Sequence, residues 1–497
     1  MNQYLLALIF PIISYLLQVF PRFFNKYFGV DVWTLLIEAK LVRKNKHRIP
    51  QGKVSEGFIF EGYFDYPPIF LTLLSFFSSK TLFKLQGFIA PFFDAIQNII
   101  LFVIAYSLTH DLRIALLAQA IYTFTPVSAL ENSALTPRSF GYTLFTLSFY
   151  SLLLYRNSDP TSQMYLILGF IFTTLTLLSH KFATQSLFFI SIIFSVIELT
   201  PFYLLNFAAA VVAATFISNG YYLKVLKSHL NIMHFWFRNY KGRYMHQVYG
   251  NKVKKTKPDF VSYLFKILYK IAPVSLLGLN VWILSGFAFI LLKGSANIIF
   301  YKMALWSISF YILAVLVLTF KRLTPIGEGY RYLEMTTVPS SILSSYLFFT
   351  LYDSNFRQPA VVILALLLVF NLVSIVVIQV KGIVKDKNRS LTGNMNKLFS
   401  FINKLPGTQR IMCIPHQITT MAIYKTKAKV LVNLDAASFT QMEDFFPVFK
   451  KSVASVIKKY DINYIILREG FAKLSDLRLK KYKIVYQSGD VILVKTS

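Results

Sequence analysis

The chain has 497 residues, of which 55% are hydrophobic and 17% aromatic, and its mean hydropathy is +0.53. Its apolar runs are too long and too numerous for a soluble core, and a membrane span needs only about 20 such residues. Lysine and arginine outnumber acids 52 to 22, but the excess is gathered in a few polar segments without zinc-ligand spacing or an RNA-binding aromatic signature, which argues against nucleic acid and for anionic head groups or phosphorylated substrates.

The first apolar run, Tyr4 to Phe20, lacks a basic start and a small-residue cleavage site, and reads as a retained span. Pro21 to Asp65 follows, with Asp31, Glu38, Glu56, Glu61 and Asp65 among eight basic residues, too charged to enter lipid. The stretch from Tyr66 to Gln86 is apolar but interrupted by Pro67-Pro68, Lys80 and Lys84, as expected of helices lying on a membrane surface. Together these make a polar loop over 21–86.

Further spans are predicted at about 87–108, 112–129, 139–155, 162–179, 182–199 and 201–219. A second basic segment, 220–260, carries nine Lys/Arg against the single acid Asp259, with His229, His234 and His246. Spans resume at about 272–292, 303–320, 333–351 and 358–380, giving about eleven in a membrane domain of residues 1–380.

Residues 381–497 read as a small soluble α/β domain. Short β-branched runs at Arg410–Met412, Val430–Val432, Asn463–Leu467, Lys483–Tyr486 and Val491–Val494 flank a helical pattern from about Gln441 to Lys459. The domain has no Gly-rich phosphate loop. Cys413 is the only cysteine, which excludes a disulfide framework and a cysteine metal site within the chain.

The stretch FGVDVWTLLIEAKLV, Phe28 to Val42, is followed about twenty residues on by GYFDYPPIFLTLL, Gly62 to Leu74. A short helix opening with an aspartate just after the first span, then a Tyr-Pro-Pro apolar segment, resembles the first external loop of GT-C-fold glycosyltransferases. These polytopic enzymes use polyprenyl- or dolichyl-phosphate sugars. The resemblance covers the N-terminal third in order and register, and the rest more loosely.

The resemblance implies that Asp31 lies at the membrane–water boundary and accepts a proton from the attacking hydroxyl. Asp65 is the second candidate, beside Tyr66 as a substrate contact. Read without the resemblance, Asp31 is a helix N-cap and Asp65 a turn initiator. Glu38, seven residues after Asp31, shares its helix face and is expected to be solvated.

Counting spans with the N-terminus inside puts Arg138 in TPRSF, His180-Lys181 in LSHKF, and Glu328, Arg331 and Glu334 in TPIGEGYRYLE on the same external side as Asp31. Loop charge does not set this orientation, because the loops placed outside are the more basic ones. An enzyme that cleaves a lipid-phosphate bond needs cations at the membrane surface. Arginine's planar fork suits phosphate, so Arg331 is the first candidate, supported by Arg138, His180, Lys181 and Glu328. The GEGYRYLE run also resembles the Arg-Tyr-x-Glu stretch late in several such transferases. Taken singly, span-end basic residues snorkel to head groups.

The Trp-Trp-Asp-Tyr-Gly signature of oligosaccharyltransferases is absent, since Trp33, Trp236, Trp282 and Trp306 are isolated. The loop has no Asp-x-Asp or Glu-x-Asp pair, so no metal ligands and no cofactor are assigned. The expected function is sugar transfer from a polyprenyl-phosphate donor to an acceptor hydroxyl with inversion, on a multi-pass cell-membrane protein whose active site and C-terminal domain face outward. The alternatives are a transporter or flippase of an anionic lipid-linked substrate, and a non-enzymatic membrane subunit. A transporter usually places binding residues near mid-membrane, where this sequence reads as almost free of charge.

Overall fold

The computed structural model describes residues 3–157, 162–251, 271–291, 298–434 and 436–496. Asp259 and the rest of the basic segment beyond residue 251 lie outside the described residues, as does the end of the span expected at 272–292. The chain divides into two compact units. One comprises Met1–Phe24, Gly87–Tyr222 and Pro258–Val384; the other comprises Asn25–Gln86, Leu223–Lys257 and Lys385–Ser497.

The first unit is helical. Among the described residues, three of its helices are long and apolar enough to cross a membrane: Ile89–Thr109, Ile298–Thr319 and Arg357–Val384. Shorter apolar helices accompany them, at Ile9–Phe24, Leu112–Thr123, Gln163–Leu177, Lys181–Ile197 and Phe202–Ile217. Several expected spans are broken where the sequence offers a breaker. The stretch 272–291 forms two helices, Ala272–Leu277 and Ile283–Leu291, because the chain turns at Gly278–Asn280 and the Asn280 amide donates to Thr336 Oγ1 at 2.8 Å. The stretch 112–129 likewise divides before Pro126, which starts a new short helix.

Aromatic side chains fill the core, with Phe145, Phe149, Phe194, Tyr203, Trp306 and Phe310 almost wholly buried against one another. The Arg138–Tyr155 helix has 18 residues, so its ends stand about 27 Å apart, close to a bilayer's hydrocarbon thickness. One end carries Arg138. The other carries Arg156, 3.2 Å from Glu198 Oε2, and Glu198 also takes Lys302 at 2.7 Å and the Tyr203 hydroxyl at 2.8 Å.

The second unit holds a five-stranded mixed sheet: β1 (Arg410–Ile414), β2 (Lys429–Val430), β3 (Tyr464–Arg468), β4 (Tyr482–Ser488) and β5 (Val491–Thr496), in the order β2-β1-β3-β5-β4. β1 pairs parallel with β2 and β3, while β5 runs antiparallel to β3 and β4. All five strands fall at the β-branched runs. The helix expected from Gln441 to Lys459 does not form whole. A 3-10 segment covers Ala436–Met442, Pro447 cannot donate to a helical ladder, and the α-helix is confined to Val453–Tyr460.

Residues far upstream complete this unit. The Asn239 amide donates to Glu443 Oε1 at 3.2 Å, the Gln247 amide to the Phe445 carbonyl at 3.2 Å, and the Tyr249 hydroxyl to Asp476 at 2.5 Å. The loop at Gly57–Phe60 runs along β2: Val430 N–H donates to Gly57 O and Ile59 N–H to Val430 O, both at 2.9 Å.

Candidate functional site

Within the helical unit, Arg138, His180 and Glu328 sit at helix starts, and Arg331 lies within the short helix that Glu328 opens. Arg138 opens the Arg138–Tyr155 helix and His180 caps the next-but-one, where its Nδ1 accepts the Ala183 N–H at 3.3 Å. The two helices meet at Gly141, where an added Cβ would lie 2.5 Å from the His180 Cβ. Tyr142, one residue on, sets its ring edge-on to His180 at 5.5 Å. Lys181 is the first residue of the His180-capped helix and is half-buried.

The GEGYRYLE run supplies the other wall. Glu328 caps the short Gly329–Glu334 helix, and the Tyr330 hydroxyl donates to its carboxylate. Arg331 Nη2 lies 2.9 Å from Glu328 Oε2. Burial works most strongly against the Arg331 charge, but Glu328 together with the Tyr330 and Tyr142 phenols outweighs it and holds the guanidinium above its ordinary value. Burial pushes the Tyr330 phenol up to about 12.

Glu334, almost wholly buried, faces Arg138 with 3.9 Å between Oε1 and Nη1. The helix packs this tightly because residue 329 is glycine: an added Cβ would lie 2.6 Å from the Ala314 carbonyl, a backbone atom. Among the described residues, Arg331 Nε, Tyr142 OH and Glu334 Oε1 are buried without a hydrogen-bond partner. The cluster therefore holds two arginines, a histidine and unmatched polar atoms around buried carboxylates, chemistry that fits a polyanionic group.

A residue that sequence reasoning missed adjoins it. Asp94, buried in the Ile89–Thr109 helix, accepts hydrogen bonds from Ser14 Oγ at 3.1 Å, Gln18 Nε2 at 2.5 Å, Tyr122 OH at 2.7 Å and Asn132 Nδ2 at 3.0 Å. A cavity of about 10 Å³, one water's worth, separates it from Glu334 and is lined also by Gln97, Tyr142 and Thr337. The apolar spans are thus less free of charge than the sequence suggested. The signal was in FFDAIQNII, an acid, an amide and an amide within one apolar run.

Asp31, Asp65 and Tyr66 belong to the other unit. Asp31 is the first residue of the Asp31–Lys44 helix, and the N-cap is Val30, so the capping reading fails. Its side chain is exposed, and among the described residues no hydrogen bond or ion pair holds its carboxylate. Asp65 and Tyr66 are half-buried in the stretch before the Pro68–Ser75 helix. Glu38 is buried, contrary to expectation, because this helix is enclosed on most sides: Trp33, Leu35, Leu36, Ile37 and Val42 are buried with it. No group of three or more metal-ligating side chains occurs among the described residues.

No protein-family profile matches the chain, and no curated protein matches it by sequence. Solved structures do match. The oligosaccharyltransferase AglB from Archaeoglobus fulgidus, in complex with an inhibitory peptide and a dolichol-phosphate, superposes with a TM-score of 0.57 at 12% identity, over 100% of this chain and 74% of that one. The apo form of the Archaeoglobus fulgidus oligosaccharyltransferase gives 0.56 at 13% identity, over 94% and 69%. ArnT from Cupriavidus metallidurans, bound to undecaprenyl phosphate, gives 0.57 at 10% identity, over 98% and 97%. The chain thus shares the fold of these structures, the GT-C fold.

Proposed function

We propose that the protein is a membrane glycosyltransferase that moves a sugar from a polyprenyl-phosphate donor to an acceptor hydroxyl. The observation that carries this reading is the pair of partly buried arginines, Arg138 and Arg331, held against Glu334 and Glu328 in a chain that matches ArnT over nearly its full length. In the step proposed, Asp31 takes the acceptor's hydroxyl proton as the oxygen attacks the anomeric carbon. The bond from that carbon to the phosphate oxygen breaks on the opposite side, its electron pair leaves with the phosphate, and the sugar's configuration inverts. Arg331, with Arg138, His180 and Lys181, stabilises the charge that develops on the leaving group. Glu328 fixes the Arg331 fork, and Asp65 and Tyr66 contact the substrate.

On this reading the chain crosses the membrane about eleven times, with the Arg331 cluster and the C-terminal domain, residues 381–497, on the external side. The neighbours with bound dolichol-phosphate and undecaprenyl phosphate support a lipid-phosphate partner. A transporter of an anionic lipid-linked substrate gains one observation, the buried Asp94. That carboxylate, however, is fully engaged by four neutral donors from neighbouring helices, the arrangement of a helix tie and not of an empty substrate site.

The test is transfer of labelled sugar from dolichyl- and undecaprenyl-phosphate hexoses by the full chain in lipid nanodiscs, comparing wild type with Asp31→Asn. Lost turnover with retained donor binding is the expected result. Equal turnover would move the base to Asp65, and donor binding without any transfer would favour the transporter.

A further inference from the structure

Among the described residues Asp31 makes no side-chain bond that would place it, so its position is set by the backbone on either side. That backbone is held by residues from the end of the chain. Upstream, Tyr27–Gly29 pairs with Arg389–Leu391: Gly29 N–H donates to Arg389 O at 2.9 Å, Leu391 N–H donates to Tyr27 O at 3.2 Å, and Phe28 bridges Ser390 antiparallel. The Asn25 amide adds a bond to Ser390 Oγ at 2.6 Å. The Arg389 guanidinium lies 4.8 Å from the Phe28 ring and is itself fixed by Asp386 at 2.6 Å.

Gly29 has a φ of +122°, a conformation that side-chain-bearing residues rarely adopt, so the turn into the helix has one shape. Next to Asp31, the Val30 carbonyl accepts the Thr420 hydroxyl at 3.3 Å. One turn into the helix, fully buried Trp33 packs against Tyr424, ring centroids 5.7 Å apart. Thr420 and Tyr424 lie on one short helix, Thr419–Lys425, which is anchored beside β1 and β2. Beyond the Asp31–Lys44 helix, Gly57–Phe60 is tied to β2.

We infer that the C-terminal domain positions the Asp31 turn, with Thr420 and Arg389 as positioning residues for the transfer step. The inference rests on the reading of Asp31 as the base. It gives the domain a role in catalysis without a group that touches substrate. A base displaced by about 1 Å loses on the order of a hundredfold in rate, and these contacts grip the main chain at positions 27, 29 and 30.

The experiment measures kcat and KM for the same labelled donors with the full chain in nanodiscs, for Thr420→Val, Thr420→Ser, Arg389→Ala and Asp31→Asn. Thr420→Val is expected to lower kcat about tenfold with donor KM unchanged, and Thr420→Ser, which keeps the hydroxyl, to restore it. Arg389→Ala should lower kcat in the same way, and decides the matter if Thr420→Val does not fold. Wild-type kcat in both Thr420→Val and Arg389→Ala, with Asp31→Asn inactive, would overturn the positioning role and leave the base intact. Full activity in Asp31→Asn would remove the base, and the positioning role with it.

Discussion

Arg331 Nη2 meets Glu328 Oε2 at 2.9 Å, while Nε of the same guanidinium has no acceptor among the described residues. One edge of the fork is held and another donor is left to a ligand. An ammonium cannot reproduce this geometry. Arg331→Lys is therefore expected to raise the donor's KM about tenfold, and Arg331→Ala to cut turnover by about 10²–10³. Unchanged donor KM and kcat in the alanine variant would remove Arg331 from the site.

Behind it, Gly329 decides where Arg331 can stand. A Cβ there meets the Ala314 carbonyl, which cannot rotate away as a side chain would, so the short Gly329–Glu334 helix must shift. Gly329→Ala should weaken donor binding severalfold even though residue 329 carries no chemistry. Donor titration against purified protein checks this, and wild-type affinity would show that the helix has room to spare.

Arg138 and Glu334 form a pair that neither partner can leave cheaply. Removing the arginine strands Glu334 in a buried setting, at a cost of about 3–5 kcal/mol, whereas replacing both with apolar residues of similar size is far milder. Arg138→Met alone should lower the unfolding temperature sharply. Arg138→Met with Glu334→Leu should fold near wild type yet transfer no sugar. If the double variant stays active, the pair is structural only.

Asp94 poses the opposite case, a carboxylate satisfied by four neutral donors. Asp94→Asn keeps the shape but turns one acceptor into a donor, leaving at least one of Ser14, Gln18, Tyr122 and Asn132 facing another donor. The cost is about 1–3 kcal/mol of stability. Thermal unfolding in nanodiscs measures it, and an unchanged midpoint would show that the network repacks.

What could be read from the sequence was local. Short β-branched runs located the strands, although β2 shares only Val430 with its run, and Asp31 does begin a helix. The Arg138 and GEGYRYLE signals fall in one cluster, because each lies at the start of a helix where the backbone leaves the apolar core. Long-range order was not legible. Thr420 and Val30 bond across 390 residues, and no periodicity in either segment announces that. Glu38 misled because a helix face says nothing about what packs against it. Asp94 was overlooked because its partners come from distant helices, which apolar runs do not reveal.

His416 gives the second unit a pH dependence. Its ring packs at a tilt against Phe446 with centroids 4.5 Å apart, and burial alone pushes the imidazole down to about 4 from its usual 6.5. In that interval the unfolded chain binds a proton that the folded one refuses, so stability rises with pH there. The contribution is complete above about pH 6.5 and is lost as pH falls toward 4. The residue as a whole is only half-buried, which limits the effect to about 1–2 kcal/mol. The unfolding midpoint of the wild type should therefore drop between pH 6.5 and 4.5, and that of His416→Gln should drop less. Parallel pH profiles for the two proteins would mean that the imidazole accepts its proton without leaving the Phe446 ring.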